Sequence, residues 1–479
     1  MRLRLPRANR QGPFFVPTNP LTAPKMVLLY PSACGVDKLR ASLETTTARK
    51  KLLIRTPWER FEQETLANLQ ALIRLDTTNP PGNERLAAEF LAHALLASDI
   101  ESTIIEPQPT RANLIARLAG RDRTLPPLML SSHTDVVPVE AAHWTRSPFG
   151  GELADGCVWG RGAIDMKSKC AMDLGVILAL KRAGVIPERD LMLAAVADEE
   201  AGSELGARFL VENHPELVRA GFVLNETGGF TLFMGDRRYY PIQVAEKGFV
   251  TVRMTVSGTP GHGSMPRTDT AIAWMAELIT RIGRMPMRRR VTPLMRRVLD
   301  ELGVTPEKAP PLFRPMLGNT VTPTILRAGY KDNVIPGEAT VILDGRTLPG
   351  ENEHSFMAEL REIVGPEPKL EVVKAAEPAE ANPDTPLFRL IAQRTEAADP
   401  GARAIPWMLP GATDSKFYAQ LGAVCYGFAP VKLDPKMPFG ALYHGNDERM
   451  PIAGFRWGLR LYADIVLSFL GVRLDEVFA

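Results

Sequence analysis

The sequence predicts an α/β protein that carries a smaller inserted α+β domain. Three observations predict this. Short apolar runs alternate with helical stretches along most of the chain, which is typical of α/β proteins. Near Glu246 the pattern changes to strands in which apolar and polar residues alternate, and near Pro383 the first pattern resumes. The length of 479 residues also exceeds what one compact core accommodates.

The composition is that of an ordinary globular protein. Hydrophobic residues make up 45% of the chain and charged residues 23%, with a formal net charge of +2. This charge gives no reason to expect nucleic acid as a partner. No apolar run reaches the length of a membrane span, about 18 residues. The cysteines lie far apart without a CxxC pair, so we expect neither a disulfide framework nor a thiolate zinc site.

The first part of the chain, residues 1–56, is predicted to be a disordered extension. Residues 1–36 carry several basic residues and no acidic one, as a transit peptide does. Several prolines in the same stretch argue against the amphipathic helix that such a peptide needs. Met26 is an alternative start of translation. We therefore expect a cytoplasmic protein.

The predicted elements of the large domain come in order. The first helix begins at a capping box, with Thr56 as the cap and Pro57 in the first turn, and ends before the Pro-rich run at 79–82. A second helix follows over about 84–96. Further along the chain, the sequence predicts buried strands at 128–130, 191–196 and 222–224, and a helix at 168–182.

The inserted domain is predicted to span residues 246–376, so that 57–245 and 377–479 form the large domain. Its predicted elements are a strand at 249–256, a helix at 269–282, strands at 319–328 and 337–346, a helix at 352–364 and a strand at 369–374. This βαββαβ order indicates a ferredoxin-like sandwich. Residues 284–317 are rich in arginine, methionine and proline, and we interpret them as a solvated helical insertion in this domain, not an anion site.

A histidine and an aspartate follow the strand predicted at 128–130. His133 is expected at the carboxyl end of this strand, where open α/β sheets place their sites. Asp135 is well placed to hold the second nitrogen of the imidazole, as partners of metal-binding histidines do. Taken alone, a histidine at a strand end is more often structural.

Asp165 follows a glycine-rich turn and precedes a predicted helix. The pair Gly160 and Gly162 suggests a dinucleotide-binding turn, but Asp165 stands where the third glycine of that motif belongs. A tight turn that presents one carboxylate at a helix start fits a metal ligand better.

Three adjacent carboxylates, Asp198, Glu199 and Glu200, come directly after the strand predicted at 191–196. Carboxylates this close repel one another unless cations neutralise them. One can bind a metal ion while its neighbour acts as a general base. Glu226 follows the next predicted strand, and His444 precedes the last helix.

Two histidines and three carboxylates therefore gather at consecutive strand ends: His133, Asp165, Glu200, Glu226 and His444. This donor set suits two Zn²⁺ ions, and Co²⁺ or Mn²⁺ would suit the same ligands. Two ions a few ångströms apart need a bridging carboxylate, for which Asp165 on its tight turn is the best candidate.

The motifs at 133–138, 160–167 and 198–200 resemble those of the M20 family of zinc peptidases and aminoacylases. The resemblance runs from about Trp58 to the C-terminus. It implies a zinc-peptidase-like catalytic domain, built on a mixed sheet flanked by helices, with an inserted lid. It implies that one zinc ion is held by His133, Asp165 and Glu226, and the other by Asp165, Glu200 and His444. It further implies that Glu199 is the general base and that the peptide bond after Asp165 is cis.

The resemblance extends to the inserted domain, which is similar to the family's lid and dimerisation domain. It implies a homodimer in which His262 reaches the partner's site and stabilises the oxyanion. It implies that Asn333 lies near the substrate and that Arg346 clamps a substrate carboxylate. It implies also that the loop beginning at Gly411 meets this carboxylate through backbone amides. A salt bridge within the lid is an alternative role for Arg346.

The function expected from these residues is hydrolysis of an amide beside a free carboxylate, in an N-acyl amino acid, a dipeptide or a peptide C-terminus. A catalytically silent relative that binds metal or ligand is the alternative. The presence of Glu199 argues against it, since loss of the base is the simplest route to silence. A serine hydrolase is disfavoured because no GxSxG turn occurs.

Overall fold

The computed structural model describes residues 55–479, together with the backbone of a short strand, Val27–Leu29. The rest of the predicted N-terminal extension, including Met26, lies outside the described residues. Within the described part of the chain, no helix combines the length and the apolar character that crossing a bilayer requires.

The helices and strands are numbered in chain order. The helices are α1 (Trp58–Arg74), α2 (Arg85–Leu96), α3 (Lys167–Ala183), α4 (Ala207–Asn213), α5 (Pro215–Val218), α6 (Ala271–Arg284), α7 (Pro293–Leu302), α8 (Glu353–Val364), α9 (Pro386–Ala398), α10 (Ser415–Ala419), α11 (Phe439–Leu442), α12 (Ile452–Phe469) and α13 (Leu474–Val477). The first ten strands are β1 (Val27–Leu29), β2 (Ser102–Gln108), β3 (Arg111–Leu118), β4 (Leu128–His133), β5 (Glu152–Ala154), β6 (Cys157–Trp159), β7 (Leu191–Val196), β8 (Phe222–Asn225), β9 (Leu232–Met234) and β10 (Arg237–Glu246). The others are β11 (Gly248–Ser257), β12 (Gly261–His262), β13 (Thr320–Ala328), β14 (Val334–Ile335), β15 (Glu338–Thr347), β16 (Lys369–Ala376), β17 (Ala379–Glu380), β18 (Arg403–Leu409), β19 (Val424–Gly427) and β20 (Arg449–Pro451).

The large domain is built on a mixed sheet with the order β1-β2-β3-β7-β4-β8-β19-β10-β17, in which β9 and β18 also pair with β10. The central strands β7, β4, β8 and β19 run parallel. Every residue of β4 and β7 is buried, which explains their continuous apolar runs. Helices flank this sheet, and the predicted α/β class is confirmed. Because β7, β4 and β8 are adjacent and parallel, their carboxyl ends lie at the same edge of the sheet.

The first helix begins differently from the prediction. Pro57 is the cap residue, and no side chain caps the helix, so the predicted capping box at Thr56 is wrong. The Thr56 amide instead donates to the Val477 carbonyl at 2.8 Å. The Trp58 ring stacks on the Phe478 ring, with 4.1 Å between centroids. Pairing with the C-terminal segment fixes this end of α1, and such a tertiary partner cannot be read from local sequence.

The inserted domain has its own antiparallel sheet, with the order β13-β15-β11-β16, and its own hydrophobic core. Along β11, Val250 and Val252 are buried, whereas Phe249 and Thr251 point to the other face and are partly exposed. Helices α6 and α8 contribute buried side chains to the same core as Val250 and Val252. The predicted ferredoxin-like lid is confirmed. The side chains on the other face of this sheet, such as Phe249 and Thr251, remain partly exposed.

The lid begins and ends at two chain crossings, at 246–248 and at 376–379, and the segment 284–317 between its elements also reaches the large domain. The two crossings lie side by side, because Glu246 pairs with Ala379 at the end of β10. A Cβ atom built on Gly248 would lie 2.5 Å from the Ala376 carbonyl oxygen. Only glycine lets the two crossings approach this closely.

The segment 284–317 differs from the prediction. It contains α7, but it does not form a solvated excursion of the lid. Most of its apolar side chains between Leu294 and Leu317 join the hydrophobic core of the large domain. Phe313 has no exposed surface, and its ring packs edge to face on Trp407 of β18, with 5.3 Å between centroids. Burial of this apolar surface against β18 outweighs the polar character of the neighbouring arginines.

We expect the substitution Phe313→Ala to destabilise the protein by about 3–5 kcal/mol, because it opens a cavity in a packed core. The measurement is the midpoint of urea unfolding, followed by circular dichroism. Leu312→Ala is the matched control, since Leu312 is 46% exposed and its truncation should change stability by at most about 0.5 kcal/mol. Equal midpoints for the two variants would contradict burial of this segment.

Candidate active site

Four functional side chains follow the ends of three parallel strands. His133 is the last residue of β4, and Glu226 comes directly after β8. Glu199 and Glu200 lie on a single 3₁₀ turn that is separated from the end of β7 by two residues. Because β7, β4 and β8 are adjacent and parallel, their carboxyl ends bring these side chains to one edge of the sheet.

Asp165 and His444 reach this edge from two loops that a small sheet holds together. Strand β6, before the Asp165 turn, pairs with β20, after the His444 loop. Glu448 joins the loops more tightly, because its carboxylate accepts the backbone amides of Gly162 at 3.0 Å, Ile164 at 2.6 Å and Asp165 at 3.1 Å. Glu448 therefore holds the turn that presents Asp165.

The candidate ligands form two groups that share Asp165. His133 Nε2 lies 3.1 Å from Asp165 Oδ1 and 3.7 Å from Glu226 Oε2. His444 Nε2 lies 3.2 Å from both Asp165 Oδ2 and Glu200 Oε2. Within each group of three, one donor atom per residue lies within 4.8 Å of the others. The two oxygens of Asp165 thus face different histidines, as a bridging carboxylate would.

The surroundings of these carboxylates fit metal cations. Among the described residues, Glu200 Oε1 and Glu226 Oε1 are buried and have no hydrogen-bond partner. A buried carboxylate oxygen without a partner is unfavourable unless a cation compensates it. The donor set consists of two imidazoles and three carboxylates, which suits borderline divalent cations.

The pKa values in this cluster reflect burial and mutual charge. Burial raises the pKa of Glu199 well above its ordinary value, and the charge of Glu226 raises it further. Burial likewise raises the pKa of Glu226 to about 7, although His133 opposes the shift. Hydrogen bonds with Asp165 and Glu200 raise the pKa of His444 to about 10. Positive charge is thus favoured and negative charge disfavoured, which is the electrostatic condition of a cation site.

Asp135 lies beneath this cluster, next to the second nitrogen of the His133 ring. His133 Nδ1 lies 3.1 Å from the backbone oxygen of Asp135 and 3.5 Å from its carboxylate. Asp135 therefore holds the imidazole, with its backbone oxygen nearer than its carboxylate and with Nε2 directed at the candidate ligands. The Asp135 carboxylate accepts the backbone amides of Glu199 at 3.1 Å and Glu200 at 3.2 Å, and so fixes their turn.

A cleft of about 740 Å³ opens in front of the cluster, between the large domain and the lid. Glu199 lines this cleft together with Arg346 from the lid and Gly411 from the large domain. Arg346 is held by two hydrogen bonds to Asp344, at 2.9 and 3.1 Å. Arg346 thus forms the alternative salt bridge within the lid and also lines the cleft.

Two predicted residues, His262 and Asn333, do not line this cleft. His262 lies in β12, which pairs with β14, and the Gly263 amide donates to the Asn333 carbonyl at 2.9 Å. Both His262 and Asn333 are exposed. The two-stranded ribbon that carries them therefore lies outside the cleft of its own chain.

Sequence reasoning missed the residues that hold the cluster in place. Asn79 donates to Asp135 at 2.8 Å and to Asp198 at 3.0 Å, and thereby links two of the predicted motifs. Asp198 is also paired with Arg111 at 2.7 Å, so it is structural and stands outside the candidate ligands. The position of Asn79 before two prolines was a signal for a fixed turn. Glu448 gave no comparable signal.

The sequence profile of peptidase family M20/M25/M40 matches residues 129–468, more than half of the chain. The chain belongs to this family. It is a metal-dependent hydrolase of the M20 type, and the resemblance inferred from its motifs is confirmed. The peptide bond between Asp165 and Met166 is cis, as that resemblance implies.

Among characterised relatives, this M20 chain is similar to aminoacylase-1 of Sus scrofa, with 26% identity over 86% of the chain and 96% of that enzyme. It is 28% identical to the N-fatty-acyl-amino acid synthase/hydrolase PM20D1 of Xenopus tropicalis, over 73% of the chain and 74% of the relative. Its fold is similar to that of the M20 family metallo-carboxypeptidase Sso-CP2 of Sulfolobus solfataricus, with a TM-score of 0.68, 16% identity, and coverage of 84% of this chain and 98% of that one. The Bacillus subtilis YXEP protein, described as a dinuclear metal binding peptidase, gives a TM-score of 0.57 at 13% identity, over 86% and 99% of the two chains.

We expect Glu448→Gln to weaken metal binding by about tenfold, because a buried amide cannot accept from every backbone N–H that the carboxylate now satisfies. The measurement is a metal titration of the chelator-treated protein, followed by calorimetry. Asp447→Asn is the matched control, since the neighbouring Asp447 carboxylate accepts only the exposed Thr145 amide among the described residues. If the two variants bind metal equally well, Glu448 does not hold the Asp165 turn.

Proposed function

We propose that this M20 enzyme hydrolyses an amide bond beside a free carboxylate, with two zinc ions in its site. The observation that carries the proposal is the pair of donor groups that share Asp165, next to Glu199 in the same cleft. His133, Asp165 and Glu226 would hold one ion, and Asp165, Glu200 and His444 the other. Co²⁺ or Mn²⁺ would suit the same donors. When bound, such ions polarise the substrate carbonyl and make a water molecule more acidic.

Glu199 is the general base in this proposal. Its carboxylate lines the cleft, and Asp135 holds its backbone amide, so its position relative to Glu200 is fixed. Glu199 takes one proton from the attacking water, whose oxygen then bonds to the amide carbon. The carbon–nitrogen bond breaks as Glu199 passes that proton to the leaving amine. The new carboxylic acid then loses the second proton of the water to solvent, so that the products are a carboxylate and an amine.

Two groups in the cleft suit the free carboxylate of such a substrate. The Arg346 guanidinium is pre-oriented by Asp344 and lines the cleft, where it can bind a carboxylate through two N–H groups. The loop that begins at Gly411 lines the same cleft. Its amides at Thr413 and Ser415 already donate within the protein, so a ligand would meet the start of the loop. N-acyl amino acids, dipeptides and peptide C-termini share this carboxylate.

The ribbon that carries His262 and Asn333 supports a homodimer formed through the lid. Both side chains are exposed and lie outside the cleft of their own chain. A second chain could place the ribbon over the partner's cleft, where His262 would stabilise the oxyanion of the tetrahedral species. Asn333, whose carbonyl accepts the Gly263 amide, would accompany it.

The proposed mechanism is tested with Glu199→Gln. We expect the variant to retain its bound metal and to lose about 10²–10⁴-fold in kcat, because only the proton-transfer group changes. Metal content is measured by mass spectrometry, and hydrolysis is measured with N-acyl amino acids and dipeptides. Glu204→Gln, at an exposed carboxylate in the same segment, is the control and should behave as wild type.

A Glu199→Gln variant with full metal content and a wild-type rate would refute the role of Glu199. Wild-type protein that hydrolyses these substrates equally well after chelation would refute the metal mechanism. Metal-loaded wild type that hydrolyses none of them would support the catalytically silent alternative.

The role of His262 is tested by complementation between two inactive variants. We expect His262→Ala and Glu199→Gln each to be inactive alone. After mixing and subunit exchange, about a quarter of the sites should combine an intact Glu199 with a His262 from the partner, and activity should return to that level. A mixture of Glu199→Gln with wild type serves as the exchange control. Absence of recovery despite heterodimers detected by mass spectrometry would contradict a role in trans.

A further inference from the structure

The cleft has a large apolar lining that the proposed reaction does not use. On the open face of the lid sheet, Phe249 and Ile342 line the cleft, and on the large domain Trp407 does so. Buried and partly exposed residues alternate along β11 and β15. Phe249 and Ile342 are partly exposed, whereas the residues next to them in each strand point to the opposite face and are buried. The cleft volume of about 740 Å³ lies within the range of pockets that enclose a sizeable organic molecule.

The segment before β13 adds one more apolar residue, Leu312, to this lining. Leu312 is 46% exposed, whereas the next residue, Phe313, is fully buried against Trp407. A single exposed leucine is ordinary on a convex surface. Leu312 instead faces a concave cleft together with Phe249 and Ile342, and a common apolar ligand would bury all three.

The backbone around Leu312 is fixed at both ends. Pro310 and Pro311 precede it and restrict the chain, and Phe313 packs in the core. On the other side, the buried Lys247 donates to the carbonyls of Pro315 at 2.9 Å and Gly318 at 2.8 Å. Lys247 belongs to the crossing between the large domain and the lid. The Leu312 side chain is therefore presented to the cleft by a rigid support.

We propose that Leu312 is a specificity-determining residue, which with Phe249 and Ile342 receives a bulky apolar group of the substrate. The inference rests on the proposed function and narrows it: the preferred substrate is a carboxylate-bearing amide with an extended hydrocarbon group. The acyl chain and the amino-acid side chain are the two places where such a substrate can carry it. Each methylene buried in the cleft should raise kcat/KM about fourfold.

The test measures kcat/KM of the metal-loaded enzyme for two series of substrates. One series is N-acyl glycines from acetyl to octanoyl, and the other is N-acetyl amino acids from alanine through norvaline to norleucine and phenylalanine. For the wild type we expect kcat/KM to rise along at least one series. Leu312→Ala should lower it about tenfold for the largest member and at most twofold for the smallest.

Leu326→Ala is the matched control. Leu326 is an exposed leucine of β13, 59% accessible, and it does not line the cleft, so this variant should follow the wild type along both series. A uniform loss in Leu312→Ala across all substrates would overturn the specificity role. A wild type that cleaves the acetyl substrates without preference for apolar bulk would overturn the inferred substrate class and leave the proposed function intact. Absence of hydrolysis of every substrate would instead contradict the proposed function.

Discussion

Repulsion among buried carboxylates is the constraint on which the arrangement of this molecule depends. Asp165, Glu199, Glu200 and Glu226 share the floor of one cleft, and burial together with the charges of neighbouring carboxylates raises the pKa of the last three. Without compensation such a cluster would disperse or take up protons. Two histidines and the cations they would help to hold supply the compensating charge. The folded protein therefore needs a support that keeps the carboxylates together while cations are absent.

That support consists mostly of hydrogen bonds to backbone amides. Glu448 binds the turn of Asp165, and Asp135 binds the turn of Glu199 and Glu200. Asn79 then connects Asp135 to the neighbouring motif. Glu448 and Asp135 each fix peptide units beside a functional carboxylate, so the orientation of that carboxylate follows from the backbone that carries it. Charge-assisted hydrogen bonds of this kind are stronger than neutral ones and suit a part of the molecule under electrostatic strain.

The sequence predicted those parts of the structure whose signals are local. His133 and Glu226 follow apolar strands directly, and parallel pairing brings such strand ends together. Glu448 could not be predicted, because its partners are amides nearly three hundred positions away that no side-chain pattern reveals. The arginines and prolines around Phe313 indicate a solvated segment, although its apolar residues are buried. Its place in the core depends on the surface of β18, which is distant in sequence.

The lid is fastened to the large domain at more than one place. Besides the crossings at Gly248 and Ala376, the segment 284–317 leaves the lid after α6, packs on β18 and returns at β13. Lys247 lies in the first crossing and donates to the Pro315 and Gly318 carbonyls at the end of that segment. These attachments oppose a free swing of the lid about the two crossings. Leu312 therefore stands on the part of the chain that ties the two walls of the cleft to each other.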